Sequence, residues 1–202
     1  MGTSSVNRRA VWLAVVILLS GASRASAEWH FKPFVGLTFG GNTTFLIDFE
    51  DAVGGTNPVM GGSATWVGEV FSVEGDFGYG PGYFETGDDL VQNSSVTTFT
   101  GNLVVALPRS WTQYTLRPYI LGGAGLMRVR GEDPLDVFTT SSTLAAVDFG
   151  GGVTGFLTDR IGLNWDLRWF KSVGGDDKGL GLSTGNEELS FWRATMGVAV
   201  RY

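Results

Sequence analysis

A period-two alternation of large apolar residues with small or polar ones returns eight times along this chain and restricts what it can fold into. It is clearest between residues 161 and 169, where Ile161, Leu163, Trp165, Leu167 and Trp169 interleave with Gly162, Asn164, Asp166 and Arg168. Successive side chains of an extended strand point to opposite faces. Five large apolar groups therefore share one face, and an amide, a carboxylate and a guanidinium share the other. The same test picks out segments 29–39, 59–67, 71–79, 96–107, 115–129, 145–157 and 191–202. Most of these run 9–13 residues, whereas strands of soluble sheets average about 5–6 and a tilted membrane-crossing strand needs about 9–11. The connections alternate short (68–70, 108–114, 158–160) and long (40–57, 80–95, 130–144, 171–190). That asymmetry is typical of outer-membrane barrels, with short turns in the periplasm and long loops outside.

Ahead of the first strand, Arg8 and Arg9 precede the ten-residue apolar run AVWLAVVILL and the small-residue site Ala25-Ser26-Ala27. This is the pattern of a cleavable signal peptide, and the run is too short to span a bilayer as a helix. The expected division is a signal peptide over 1–27 and one barrel domain over 28–202. Cleavage removes three arginines and no acids, so 14 basic residues become 11 against 20 acids, a net charge of −9.

Alternation alone does not say which face is inside; residue size does. The interior of an eight-stranded barrel is only wide enough to be filled by side chains. Trp66, Phe77, Phe99, Phe149, Trp165 and Trp192 together would overfill it. Gly, Ser and Thr mixed with charges fit. The expected lumen set is Lys32, Glu74, Asp76, Arg117, Asp148, Asp166, Arg168, Arg193 and Arg201. These five bases and four acids could neutralise one another in ion pairs, as buried charges must. Aromatics gather near both ends of the strands (Trp29, Trp66, Phe71 and Tyr202; Phe39, Tyr79, Phe99, Trp169 and Trp192), as two interfacial belts would require.

The stretches RPYILGGAGL (117–126), FGGGVTGFLTDRIGLNWDLRWF (149–170) and FWRATMGVAVRY (191–202) resemble the small eight-stranded outer-membrane β-barrel proteins, of the OmpA transmembrane-domain or OmpX kind. The resemblance implies an all-β, antiparallel up-and-down transmembrane barrel in a bacterial outer membrane. It also implies that the last strand, with Trp192, Val198, Val200 and the terminal Tyr202, is the signal read by the barrel-assembly machinery. Members of the class include adhesins, surface-charge modulators and proteins called porins by name only, so the resemblance names a class rather than a role.

Catalysis is not expected. Cysteine is absent and the single histidine, His30, sits at the start of the first strand, away from the outer rim where barrel hydrolases place theirs. The Gly-rich runs 122–125 and 150–152 lack the Lys and helix of a phosphate loop. No cofactor, metal site or nucleic-acid partner is expected of so acidic a chain with one His, and a monomer is expected. Thirteen of the 20 acids fall in the long loops (Asp48, Glu50, Asp51, Glu85, Asp88, Asp89, Glu132, Asp133, Asp136, Asp176, Asp177, Glu187 and Glu188). Carboxylate oxygens of this kind suit divalent cations, and a solvated surface that resists aggregation accounts for them equally. At the outer rim, Arg128, Arg130 and Lys171 share the lipid-facing parity; their charge fits lipopolysaccharide phosphates. The expected role is structural or surface-interacting, carried by four acidic extracellular loops. The alternatives are a narrow porin-like passage for ions or small solutes and, behind it, a lipid-modifying enzyme.

Overall fold

The computed structural model describes residues 28–43, 55–82, 93–112, 116–132, 139–173 and 189–202. The signal-peptide segment 1–27 lies outside them, as do all the long-loop acids except Glu132, the last residue of its strand.

Eight strands follow one another: β1 (Glu28–Thr43), β2 (Asn57–Val67), β3 (Phe71–Pro81), β4 (Asn93–Ala106), β5 (Leu116–Glu132), β6 (Thr139–Phe156), β7 (Ile161–Val173) and β8 (Leu189–Arg201). Each pairs antiparallel with its neighbours in sequence, and β8 closes on β1, so the sheet is a closed barrel without a free edge. Closure leaves no open sheet edge, as a sheet in hydrocarbon requires. At the seam, the backbone of Tyr202 exchanges hydrogen bonds with that of Trp29.

The strands run past the segments marked by alternation. Residues 93–95, 130–132, 139–144, 171–173 and 189–190, expected in loops, are strand. Pairing such as Ser95 with Arg130, and Arg130 with Ser141, continues the ladder beyond the apolar band. Above that band the outward residues turn polar, as at Ser95, Arg130, Lys171 and Ser190, so the apolar signal ends while the backbone pairing does not. In the 108–114 connection, Arg109–Trp111 form a short 3₁₀ turn. One irregularity interrupts β1, a register shift against β8 between Phe39 and Asn42. It spans Gly40 at φ 61°, a left-handed conformation suited to glycine.

Burial fixes the sense of the barrel. Along β3 the residues alternate strictly, with Ser72, Glu74, Asp76 and Gly78 inside and Phe71, Val73, Phe77 and Tyr79 outside. Val35 is 63% exposed and Phe99 61%, while Asp76 is 0% and Arg193 1%. Exposed apolar side chains from all eight strands wrap the wall, far beyond the few-hundred-Å² patches of soluble monomers. A surface of this kind, enclosing a charged interior, is that of a membrane-spanning barrel. Register sets outward aromatics of neighbouring strands side by side: Phe39 opposite Trp192, Trp192 opposite Trp169, Trp169 opposite Phe149, and Trp29 opposite Trp66.

This surface makes depth-dependent predictions. Leu103, which pairs with Val73 and Gly122 on the mid-wall, should not accept a charge. Leu103→Arg should destabilise the protein in lipid vesicles by about 2–4 kcal/mol, and Leu107→Arg, just past the end of β4, by about 0–1 kcal/mol. Urea unfolding of the refolded variants measures both.

Candidate functional site

The lumen is layered, and its middle layer holds seven charged side chains. Lys32 on β1, Glu74 and Asp76 on β3, Asp148 on β6, Asp166 and Arg168 on β7, and Arg193 on β8 all point inward and are buried. Strand parity puts them there: each occupies the position that alternates with a lipid-facing Phe, Val, Leu or Trp.

Arg168 is the hub. Its guanidinium lies 2.8 Å from Glu74 and 2.5 Å from Asp166, with Asp76 at 3.5 Å and Asp148 at 3.7 Å. Glu74 is enclosed by donors: Lys32 Nζ at 2.5 Å, Thr65 Oγ1 at 2.9 Å and Ser63 Oγ at 3.2 Å, besides Arg168. Asp166 accepts from the Tyr119 hydroxyl at 2.7 Å, which itself accepts from Asn164 Nδ2 at 2.9 Å. Asn102 satisfies both ends of its amide when the nitrogen donates to Asp148 Oδ1 (2.8 Å) and the oxygen accepts from Arg168 (3.0 Å). Arg193 donates to Asp76 Oδ1 at 2.8 Å, and its guanidinium faces the rings of Phe34 (4.8 Å) and Phe170 (4.7 Å). Charge-assisted bonds of this density are what make buried ions tolerable.

Glycines give these long side chains room. A Cβ on Gly78 would stand 2.5 Å from an Arg193 nitrogen and 2.8 Å from Thr98 Oγ1, and one on Gly152 would stand 2.6 Å from the Tyr119 hydroxyl.

Two expected lumen charges lie in a separate layer. Arg117, second residue of β5, hydrogen-bonds the carbonyls of Gly68 (2.9 Å), Glu69 and Leu107 (3.2 Å) at the short-turn mouth. Arg201, the last residue of β8, pairs with Glu28 at 3.1 Å and stacks over Phe156 at 4.1 Å. Both stand at strand ends, several residues of rise from Arg168. The expected five bases and four acids thus divide, leaving three cations and four carboxylates at the centre. His30 is buried in the same mouth, edge-on to Phe156 at 5.1 Å.

Above the charged layer the lumen is apolar, which the sequence reading did not anticipate. Val96, Met127, Val129, Ala146, Phe170, Leu189 and Phe191 form a buried cluster, with Phe170 and Phe191 stacked at 5.2 Å. The signal was present in the dipeptides Trp169-Phe170 and Phe191-Trp192. Adjacent strand residues face opposite ways, so one aromatic of each pair must enter the lumen. At the rim, Arg128 and Arg130 point outward and are exposed, and Lys171 is half-buried with the outward parity of Leu167 and Trp169. Trp192, Val198, Val200 and Tyr202 all face outward on or beside β8.

The hub arrangement predicts strong coupling. Arg168→Met should cost about 3–5 kcal/mol by leaving buried carboxylates uncompensated, and Glu74→Gln should also destabilise. The double variant should lose less than the sum of the two, because each partner's removal relieves the other's unpaired charge. Urea titration in vesicles gives the cycle.

No protein-family model matches the chain, and no curated protein sequence does. Solved structures do. Neisserial surface protein A superposes with a TM-score of 0.64 at 13% identity, covering 89% of this chain and 100% of that one. The outer membrane protein OprG from Pseudomonas aeruginosa gives 0.55 at 13% identity, covering 88% and 97%. The N-terminal β-barrel domain of Pseudomonas aeruginosa OprF gives 0.52 at 13% identity, covering 87% and 98%. The chain has the fold of the small eight-stranded outer-membrane barrels.

Proposed function

We propose that the protein is a non-conducting integral barrel of a bacterial outer membrane, with a structural or surface-interacting role carried by its long loops. The observation behind this is the filled lumen. An ion entering from the long-loop end meets the Phe170–Phe191 cluster first and the Arg168 cluster beneath it. Passage would require parting an apolar contact and then breaking charge-assisted bonds in a low-dielectric interior. Short turns on one side and long connections on the other orient the barrel with the loops outside. Thirteen acids fall in those loops in the sequence. They give the outward-facing cell surface a strong negative charge that repels anionic surfaces and draws divalent cations.

Anchoring in the outer leaflet follows from Arg128, Arg130 and Lys171, which stand outward near the long-loop ends of β5 and β7. Their partners on this reading are lipopolysaccharide phosphates. During biogenesis, the outward face of β8 with its terminal Tyr202 is offered to the barrel-assembly machinery. The lone histidine lies inside the short-turn mouth, remote from the outer leaflet, so a lipid-modifying activity has no support from it.

Planar-bilayer recording of the refolded protein tests the central part of this reading. The expected result is no resolved unitary conductance in molar KCl; stable channels would overturn it. Separately, joint alanine replacement of Arg128, Arg130 and Lys171 should reduce co-purifying lipopolysaccharide several-fold, and unchanged co-purification would remove the rim from the account.

A further inference from the structure

The lumen is sealed at its long-loop end and hollow at the other. Between the short-turn mouth and the charged layer lies a chamber of about 300 Å³. At about 30 Å³ per water molecule this is room for about ten heavy atoms, and it falls at the lower bound of small-molecule pockets.

Its lining is unlike the layer above. Lys32, Arg117 and Arg201 border it as cations and His30 as a neutral ring, and among the described residues none of its lining is an Asp or Glu. The carboxylates that balance these cations stand outside the lining: Glu74 behind Lys32 and Glu28 beside Arg201. His30 is 6% exposed, and its Nε2 lies 3.7 Å from Glu28 Oε2, beyond hydrogen-bond distance. The rest of the wall combines an apolar side, Val67, Val104, Ala106 and Phe156, with the hydroxyls of Thr65, Ser72, Thr112, Tyr119 and Thr154. Apolar surface beside convergent polar groups is what fixes and orients a small ligand in a pocket.

We infer that this chamber is a binding site for a small organic anion, a compact apolar body carrying one carboxylate, that enters from the short-turn side. Cations without lining acids select the negative group. The wall of Val67, Val104, Ala106 and Phe156 holds the body, and the buried His30 nitrogen, too far from Glu28 to hydrogen-bond it, gains a closer partner. The apolar cluster above makes the site a dead end, so the ligand is retained or released on one side and is not transported. The inference uses the proposed orientation only to place the mouth in the periplasm, and its test does not depend on that orientation.

Benzoate and benzamide have nearly the same size and differ in charge, so they are suitable probes. Backbone amide signals of the isotope-labelled, refolded barrel in micelles are followed during titration with each. Benzoate should shift Val67, Val104, Ala106 and Thr154 saturably, with benzamide at least tenfold weaker. Ala106→Trp, which fills the chamber, should abolish the benzoate shifts; Val67→Trp serves the same purpose if the first variant fails its heat-shift folding check. Equal effects of the two probes would overturn the anion assignment. Shifts confined to the outer wall around Trp29 and Tyr202, or unaffected by a folded filling variant, would overturn the site.

Discussion

Arg168 carries the interior of this barrel. Closing eight strands leaves a lumen that side chains must fill, and lipid on the outside claims the apolar residues, so the filling is polar. Polar filling in a dry interior is tolerable only if paired. Arg168 meets that condition for four carboxylates from three strands at once. Lys32 and Arg193 complete it from β1 and β8, the two strands that meet at the seam. The cluster therefore ties together strands far apart in sequence, whose direct ladders run only to their neighbours.

Its placement shapes everything above and below. The outer part of the lumen is lined by residues that alternate with Arg128, Arg130 and Trp192, and there the chain supplies aromatics and aliphatics in place of further ions. That choice gives a dry seal beside a guanidinium already stacked between two rings. Towards the short turns the strand ends bring Arg117 and Arg201, whose partners are turn carbonyls and a rim carboxylate. The result is a polarised interior: sealed, ionic, then hollow.

Much of this was legible in the sequence because one rule, alternation, governs a wall with lipid on one side. It located all eight strands and the inward parity of the nine charges. It failed where its premise fails. Beyond the apolar band, as at Ser95, Arg130 and Lys171, the outward positions are polar and pairing continues without the alternation that marked it. It also gave parity without height, so Arg117 and Arg201 were grouped with charges that sit deeper in the lumen. The uncharged members of the network, Tyr119, Asn164 and Asn102, shared the right parity; only the three-dimensional convergence of β4, β5, β6 and β7 shows them bridging Asp148 and Asp166.

The account rests on which face of each strand meets lipid. The chain has no native cysteine, so single cysteines can be introduced along β7 and spin-labelled in the refolded, vesicle-embedded protein. Labels at 163, 165, 167 and 169 should collide readily with oxygen and little with a water-soluble relaxant, while a label at Ser172 should be immobile and shielded from both. The opposite accessibility, with odd positions open to the aqueous reagent, would contradict the inverted barrel.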